Sequence, residues 1–172
     1  VPIINGLEQS QGKRFKASDV SHQVSDSISA ISMNLAKAYT KEAYADYWQR
    51  TVCLNRTKSR VEITENYKLD SLQIEKDRME GKVFDNQIVL LCYGKPVIKI
   101  PGTILLQGGS VALKYESSVL AASTEKVVMA DGIMKKQWND NVYRIMLRLN
   151  DNYPKKEVKY NFEGITVKKG RR

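Results

Sequence analysis

The chain has 172 residues, 42% hydrophobic and 27% charged, the balance of a globular domain that closes a core without staples by burying roughly 70% of its unfolded surface. Lys and Arg total 28 against 19 Asp and Glu, a formal charge of +9, so its long-range field favours anionic partners over cationic ones. No apolar run approaches the roughly 18 residues of a membrane-spanning helix, and no membrane partner is expected.

Val1–Ile4 reads as a strand that enters an Asn5-Gly6 turn, the strongest short hairpin signal in a sequence. Opening directly on this apolar run, without a signal or transit pattern, is what a processed fragment is expected to do. Gln11-Gly12 marks a second turn. Ser27–Leu35 alternates with period two, one face richer in apolar groups. Thr40–Asp46, around Lys41-Glu42-Ala43, is the one stretch expected to form a short helical turn. Trp48–Leu54 puts Trp48, Arg50, Val52 and Leu54 on one face and Gln49, Thr51 and Cys53 on the other.

Further strands are predicted at Arg60–Asn66, Gln87–Tyr93, Val97–Ile100, Thr103–Gln107, Val111–Tyr115, Lys126–Ala130, Val142–Leu149, Glu157–Phe162 and Ile165–Lys168. The charged stretch Asp70–Gly81 reads as a surface loop. Gly94-Lys95-Pro96 is expected to be a tight hairpin, and Pro101-Gly102 and Gly108-Gly109 punctuate other strands. The basic end Lys168–Arg172 reads as a frayed tail. About a dozen short strands with turns this frequent predict an all-β fold. The expectation is a single domain over residues 1–172, an antiparallel β-sandwich of stacked sheets with very little helix. Trp48 and Trp138, both in apolar context, are expected in its core.

Signatures of common catalytic sites are absent: no GxSxG, P-loop, GxGxxG after a strand, or HExxH. A lone histidine, His22, excludes any mechanism that needs two and reads as a surface imidazole. Asp19 and Asp26 could pair as acid and base only if the fold set their separation. Cys53 and Cys92 lie in apolar runs without zinc-ligand spacing and read as buried thiols. Asn55-Arg56-Thr57 is a formal glycosylation sequon. The cations are dispersed and no recognition helix or aromatic strand motif accompanies them, so no nucleic-acid partner is expected.

Three blocks carry a resemblance. The first is Val1-Pro2-Ile3-Ile4-Asn5-Gly6 with Gln9, Phe15, Ala17 and Asp19-Val20. The second is Ala38-Tyr39-Thr40-Lys41-Glu42-Ala43, then Trp48-Gln49-Arg50-Thr51-Val52 and Val61-Glu62-Ile63-Thr64-Glu65-Asn66-Tyr67. The third is Gln137-Trp138-Asn139-Asp140-Asn141-Val142-Tyr143-Arg144-Ile145. In this order and spacing the chain resembles the C-terminal β-domain of the heparinase II/III-like polysaccharide lyases.

The resemblance implies a periplasmic or secreted parent, in which an N-terminal helical toroid carries most catalytic groups and the β-domain closes the substrate cleft. Such enzymes cleave uronic-acid polysaccharides by β-elimination. The implied partners are therefore an acidic polysaccharide and the toroid of the same parent chain, and this chain alone is expected to be inactive. The family's histidine would lie just before the strand at Val1–Ile4, so no catalytic residue is assigned here. Asn5 and Gln9, nearest that point, and Arg14 and Arg50 are the expected substrate-side residues. Asp19 falls where zinc-binding members place an aspartate ligand, but no histidine accompanies it near Trp48-Gln49, and no cofactor is expected. The alternative is a stand-alone carbohydrate-binding or adhesion module.

Overall fold

The computed structural model describes residues 1–82, 85–151 and 153–165. Period-two alternation produces strands with one apolar and one polar face, and two such sheets bury their apolar faces against each other. The elements follow in chain order: β1 (Pro2–Ile3), β2 (Ser18–Val24), β3 (Ile28–Asn34), β4 (Ala45–Asn55), β5 (Arg60–Leu69), α1 (Ser71–Met79) and β6 (Gln87–Cys92). After these come β7 (Val97–Ile100), β8 (Thr103–Leu106), β9 (Val111–Tyr115), β10 (Leu120–Val128), α2 (Gly132–Trp138), β11 (Asn141–Leu149) and β12 (Lys155–Gly164).

The smaller sheet has the order β1-β6-β11-β10 and the larger β2-β3-β4-β5-β12-β9-β8-β7, and every described pairing is antiparallel. The fold is the all-β sandwich that the alternation predicts. Ile88, Leu120, Ile145 and Leu147 of the small sheet meet Trp48, Ile63, Tyr67, Ile104, Leu113 and Tyr160 of the large one in a single core. Each large side chain buried there contributes about 1.5–3 kcal/mol. No helix among the described residues is long and apolar enough to cross a membrane.

Four sequence expectations need correction. Asp70–Gly81 is not a loop: Asp70 caps α1, its carboxylate accepting from the amides of Leu72 (3.0 Å) and Gln73 (3.2 Å), and Ile74 anchors the helix in the core. Gly94-Lys95-Pro96 is not a hairpin, because β6 and β7 belong to different sheets. Pro96, buried and without an N–H to give a ladder, sits where the chain crosses between layers. Trp138 is not in the core; it ends α2 and is 44% exposed. Cys53 and Cys92 are free but half-buried rather than buried.

Smaller differences concern extents. β2 escaped the sequence reading, and β10 begins at Leu120, well before the predicted Lys126. The helical turn falls at Lys41–Ala43, inside the predicted stretch. The predicted strand at Ile165–Lys168 and the tail Lys168–Arg172 lie, beyond Ile165, outside the described residues.

Candidate functional site

The inner faces of β4 and β5 align Trp48 with Tyr67, Arg50 with Glu65 and Val52 with Ile63. Alternation therefore puts an acid and a base on an otherwise apolar face. Glu65 is fully buried, and a buried carboxylate must be paired and hydrogen-bonded. Trp48 Nε1 donates to its Oε2 at 2.7 Å, while Arg50 Nε at 2.7 Å and the Tyr160 hydroxyl at 3.0 Å donate to Oε1. Arg50 closes the ion pair at 2.6 Å, and the Trp48 and Tyr67 rings stack at 4.5 Å.

Burial opposes the charge on Arg50, but the Glu65 carboxylate and the Tyr160 phenol outweigh it and hold the guanidinium above its ordinary pKa. Burial also pushes the Tyr39, Tyr67 and Tyr160 phenols well above the ordinary tyrosine range. None of the three phenols is suited to act as a base near neutral pH, and Glu65 spends its carboxylate on three donors inside the core.

Beside it, the N-terminal segment is clamped onto the sandwich. Asn5 and Gly6 have φ of 51° and 75°, the left-handed pair of a tight turn that Asn-Gly favours, and Ile4 bridges to Leu7. The Asn5 amide donates to Asn86 Oδ1 at 2.9 Å, its Nδ2 to the Glu42 carbonyl at 3.2 Å, and the Ser10 amide to the Ala38 carbonyl at 3.0 Å. The Tyr39 hydroxyl donates to the Pro2 carbonyl, within electrostatic reach of Arg50, Glu65 and Glu8.

An open cleft of about 410 Å³ lies here, lined by Val1–Ile3, Glu8, Gln9, Val89–Leu91 and Arg144. Arg144 lies 3.7 Å from Glu125, and its Nε is shielded from solvent without a partner. The cleft thus offers one amide, one carboxylate and one cation over an apolar floor.

The structure separates the sequence-predicted residues. Gln9 lines the cleft. Asn5 is spent on the clamp, and Arg50 lies in the network with Glu65. Arg14 is elsewhere, exposed, with its guanidinium 4.7 Å from the Phe15 ring centre. Asp19, at φ 50° beside an irregularity in β2, accepts from Ser18 Oγ at 2.9 Å and Asn34 Nδ2 at 3.4 Å. Among the described residues no group of three His, Cys, Asp or Glu side chains comes together. His22 is exposed on β2, opposite Ile31.

Sequence reasoning missed Glu65, Tyr160 and Arg144. The first had a signal: an acid at the apolar-face position of a strand, with Arg50 at the matching position of its neighbour. No protein-family model matches this sequence, and comparison with the curated proteins gives no significant match.

Proposed function

We propose that this chain is the accessory β-domain of a periplasmic or secreted lyase of heparinase II/III-like type, which cleaves acidic polysaccharide by β-elimination and draws its catalytic groups from elsewhere in the parent protein. The observation that carries the reading is that the first and third resembling blocks line one cleft, while the second touches its Pro2 wall from the core side through Tyr39. Val1–Ile3 and Gln9 come from the first block and Arg144 from the third. Tyr39, Arg50 and Glu65, behind the Pro2 side, come from the second. A net charge of +9 suits an anionic polymer.

In this elimination a base removes the proton at C5 of the uronate, a C4–C5 double bond forms, and the C4 oxygen leaves with a proton from an acid. The carboxylate on C5 must be neutralised as negative charge develops beside it. Arg144 supplies a cation at the cleft and Gln9 an amide for a sugar hydroxyl. Tyr39 and Tyr160, behind the cleft, hold their protons too tightly to serve as the base.

Ultraviolet absorbance of the unsaturated product tests the reading. The 172-residue chain should turn over no uronate polymer, and a chain extended upstream to include the toroid should. In the extended chain, Arg144→Ala should lower kcat/KM by at least about tenfold, a loss of about 1.4 kcal/mol of transition-state binding. Turnover by the short chain alone, abolished by His22→Ala, overturns the proposal.

A further inference from the structure

A second concavity lies on the opposite side of the large sheet, away from the cleft and from the sandwich core. Residues of β4, β5, β12 and β9 whose neighbours point into the core point outward here, and they form a groove of about 610 Å³. Its floor follows the register across the strands. Cys53 faces Glu62, Glu62 faces Asn161 and Asn161 faces Lys114, while in the adjacent row Thr51 faces Thr64 and Thr64 faces Lys159. Three interstrand gaps give it a span of about 14 Å across the strands.

The chemistry of this floor selects a class of ligand. All four strands are interior to the sheet, so their backbone groups are occupied by ladder bonds and cannot receive an added peptide strand. None of the groove residues in the two rows named above is aromatic, so the floor offers a nucleobase no stacking platform. What remains is the Thr51 and Thr64 hydroxyls and the Asn161 amide beside Glu62, whose charge is compensated by Arg60, its Nε donating to Oε1 at 2.7 Å. Ser32 Oγ accepts from Gln49 Nε2 at 2.7 Å and is hydrogen-bonded to Thr51 Oγ1 at 2.8 Å, which leaves the rest of the Thr51 hydroxyl's capacity toward the groove. Asn161 Oδ1 is shielded from solvent and has no donor; such an acceptor carries a cost that a ligand hydroxyl would relieve.

Lys114 and Lys159 flank these groups, with Glu116 also on the lining. Lys114 lies 3.5 Å from Glu163 and Lys159 2.6 Å from Glu157. Both pairs are largely solvated, and exposed pairs of this kind bind so weakly that an incoming carboxylate competes for the lysine.

We propose that this groove is a binding site for an acidic oligosaccharide, with Thr51, Thr64 and Asn161 bonding its hydroxyls and Lys114 and Lys159 taking its carboxylate. The site is separate from the cleft and shares with the function proposed above only the class of ligand. It would hold a polymer strand on the domain at a distance from the reacting bond, which raises the local concentration of substrate.

Amide chemical-shift mapping on the 172-residue chain tests it, with tetragalacturonate as the probe and a neutral galactose tetramer as its control. The acidic probe should shift the amides of Thr51, Thr64, Lys114, Lys159 and Asn161, and the neutral one should bind at least about tenfold more weakly. Lys114→Ala combined with Lys159→Ala, both at exposed ends that leave the core untouched, should weaken the acidic probe by about tenfold as well. The same spectra report whether the variant is folded. The inference is overturned if millimolar tetragalacturonate leaves these amides unmoved, if shifts gather only at Val1–Ile3 and Val89–Leu91, or if the two probes bind equally. Loss of groove binding leaves the lyase reading standing, and absence of turnover by the extended chain leaves the groove standing.

Discussion

Glu65 shows how a single side chain can organise a sandwich interior. Its carboxylate joins Trp48 and Arg50 of β4 to Tyr160 of β12 across β5, so three neighbouring strands share one acceptor. Removing one partner of a buried ion pair leaves the other uncompensated, which typically costs 3–5 kcal/mol. Glu65→Ala should therefore lower stability by about 3–5 kcal/mol, read from urea midpoints, whereas Tyr160→Phe, which removes one bond to a charged acceptor, should cost about 1.5–3 kcal/mol. The phenols add a pH dependence. Tyr39, Tyr67 and Tyr160 have pKa values raised by burial, against about 10 in the unfolded chain. Below that value both states keep these protons and the contribution is complete. Above it the unfolded chain releases protons that the fold retains, so stability falls as pH rises toward the folded values. Urea midpoints should stay level with respect to these groups up to about pH 10 and then drop, with tyrosinate absorbance of the three appearing together with unfolding; gradual ionisation in the folded state would contradict the burial.

At the scale of elements, what was legible depended on whether the local pattern determined the partner. Alternation in β4, β9 and β11 is a property of the strand itself, and those strands appear where the residues put them. The helices were missed for a reason. α1 contributes only Ile74 as an apolar anchor, so it has little amphipathic stripe to read, and the Asp70 and Asp131 caps that begin the two helices look in isolation like loop residues. The Gly94-Lys95-Pro96 error is of another kind: turn chemistry says that the chain reverses, not which sheet receives it. Gln9, singled out because the resemblance puts it near the family's histidine, lines the cleft, whereas Arg144 reaches it only through the pairing of β6 and β11, which no local pattern reveals. Two glycines separate conformation from packing. Gly94 (φ +83°) has open space where a Cβ would stand, but at Gly102 (φ +87°) the Cβ would lie 2.9 Å from the Tyr115 carbonyl oxygen. Gly94→Ala should cost about 1 kcal/mol from backbone strain alone. Gly102→Ala should cost about 2–3 kcal/mol, because β7, β8 and β9 must also shift. Equal urea midpoints for the two variants would show that the close approach adds nothing.

For the molecule as a whole, the excess charge is a field rather than a patch. Many of the described cations already have carboxylate neighbours, among them Arg60 with Glu62, Arg148 with Asp85 and Lys156 with Asp151. Four positive side chains, Lys168, Lys169, Arg171 and Arg172, stand in the last five residues and contribute to the total of +9. Attraction of a polyanion to this distribution acts over a Debye length of about 8 Å at physiological salt, so it should be weak and steeply salt-dependent. Titration of the chain against a heparin-like polymer should show affinity that falls progressively as salt rises, while a neutral glycan of similar length shows little affinity and no such slope. Ending the chain at Val167 removes the terminal cluster and should reduce both affinity and salt slope without abolishing either, because the cations that face the cleft and the groove remain. If the shortened chain loses all binding, the attraction belongs to the tail and neither concavity of the sandwich holds the polymer. If affinity for both glycans is equal and indifferent to salt, charge has no part in recognition.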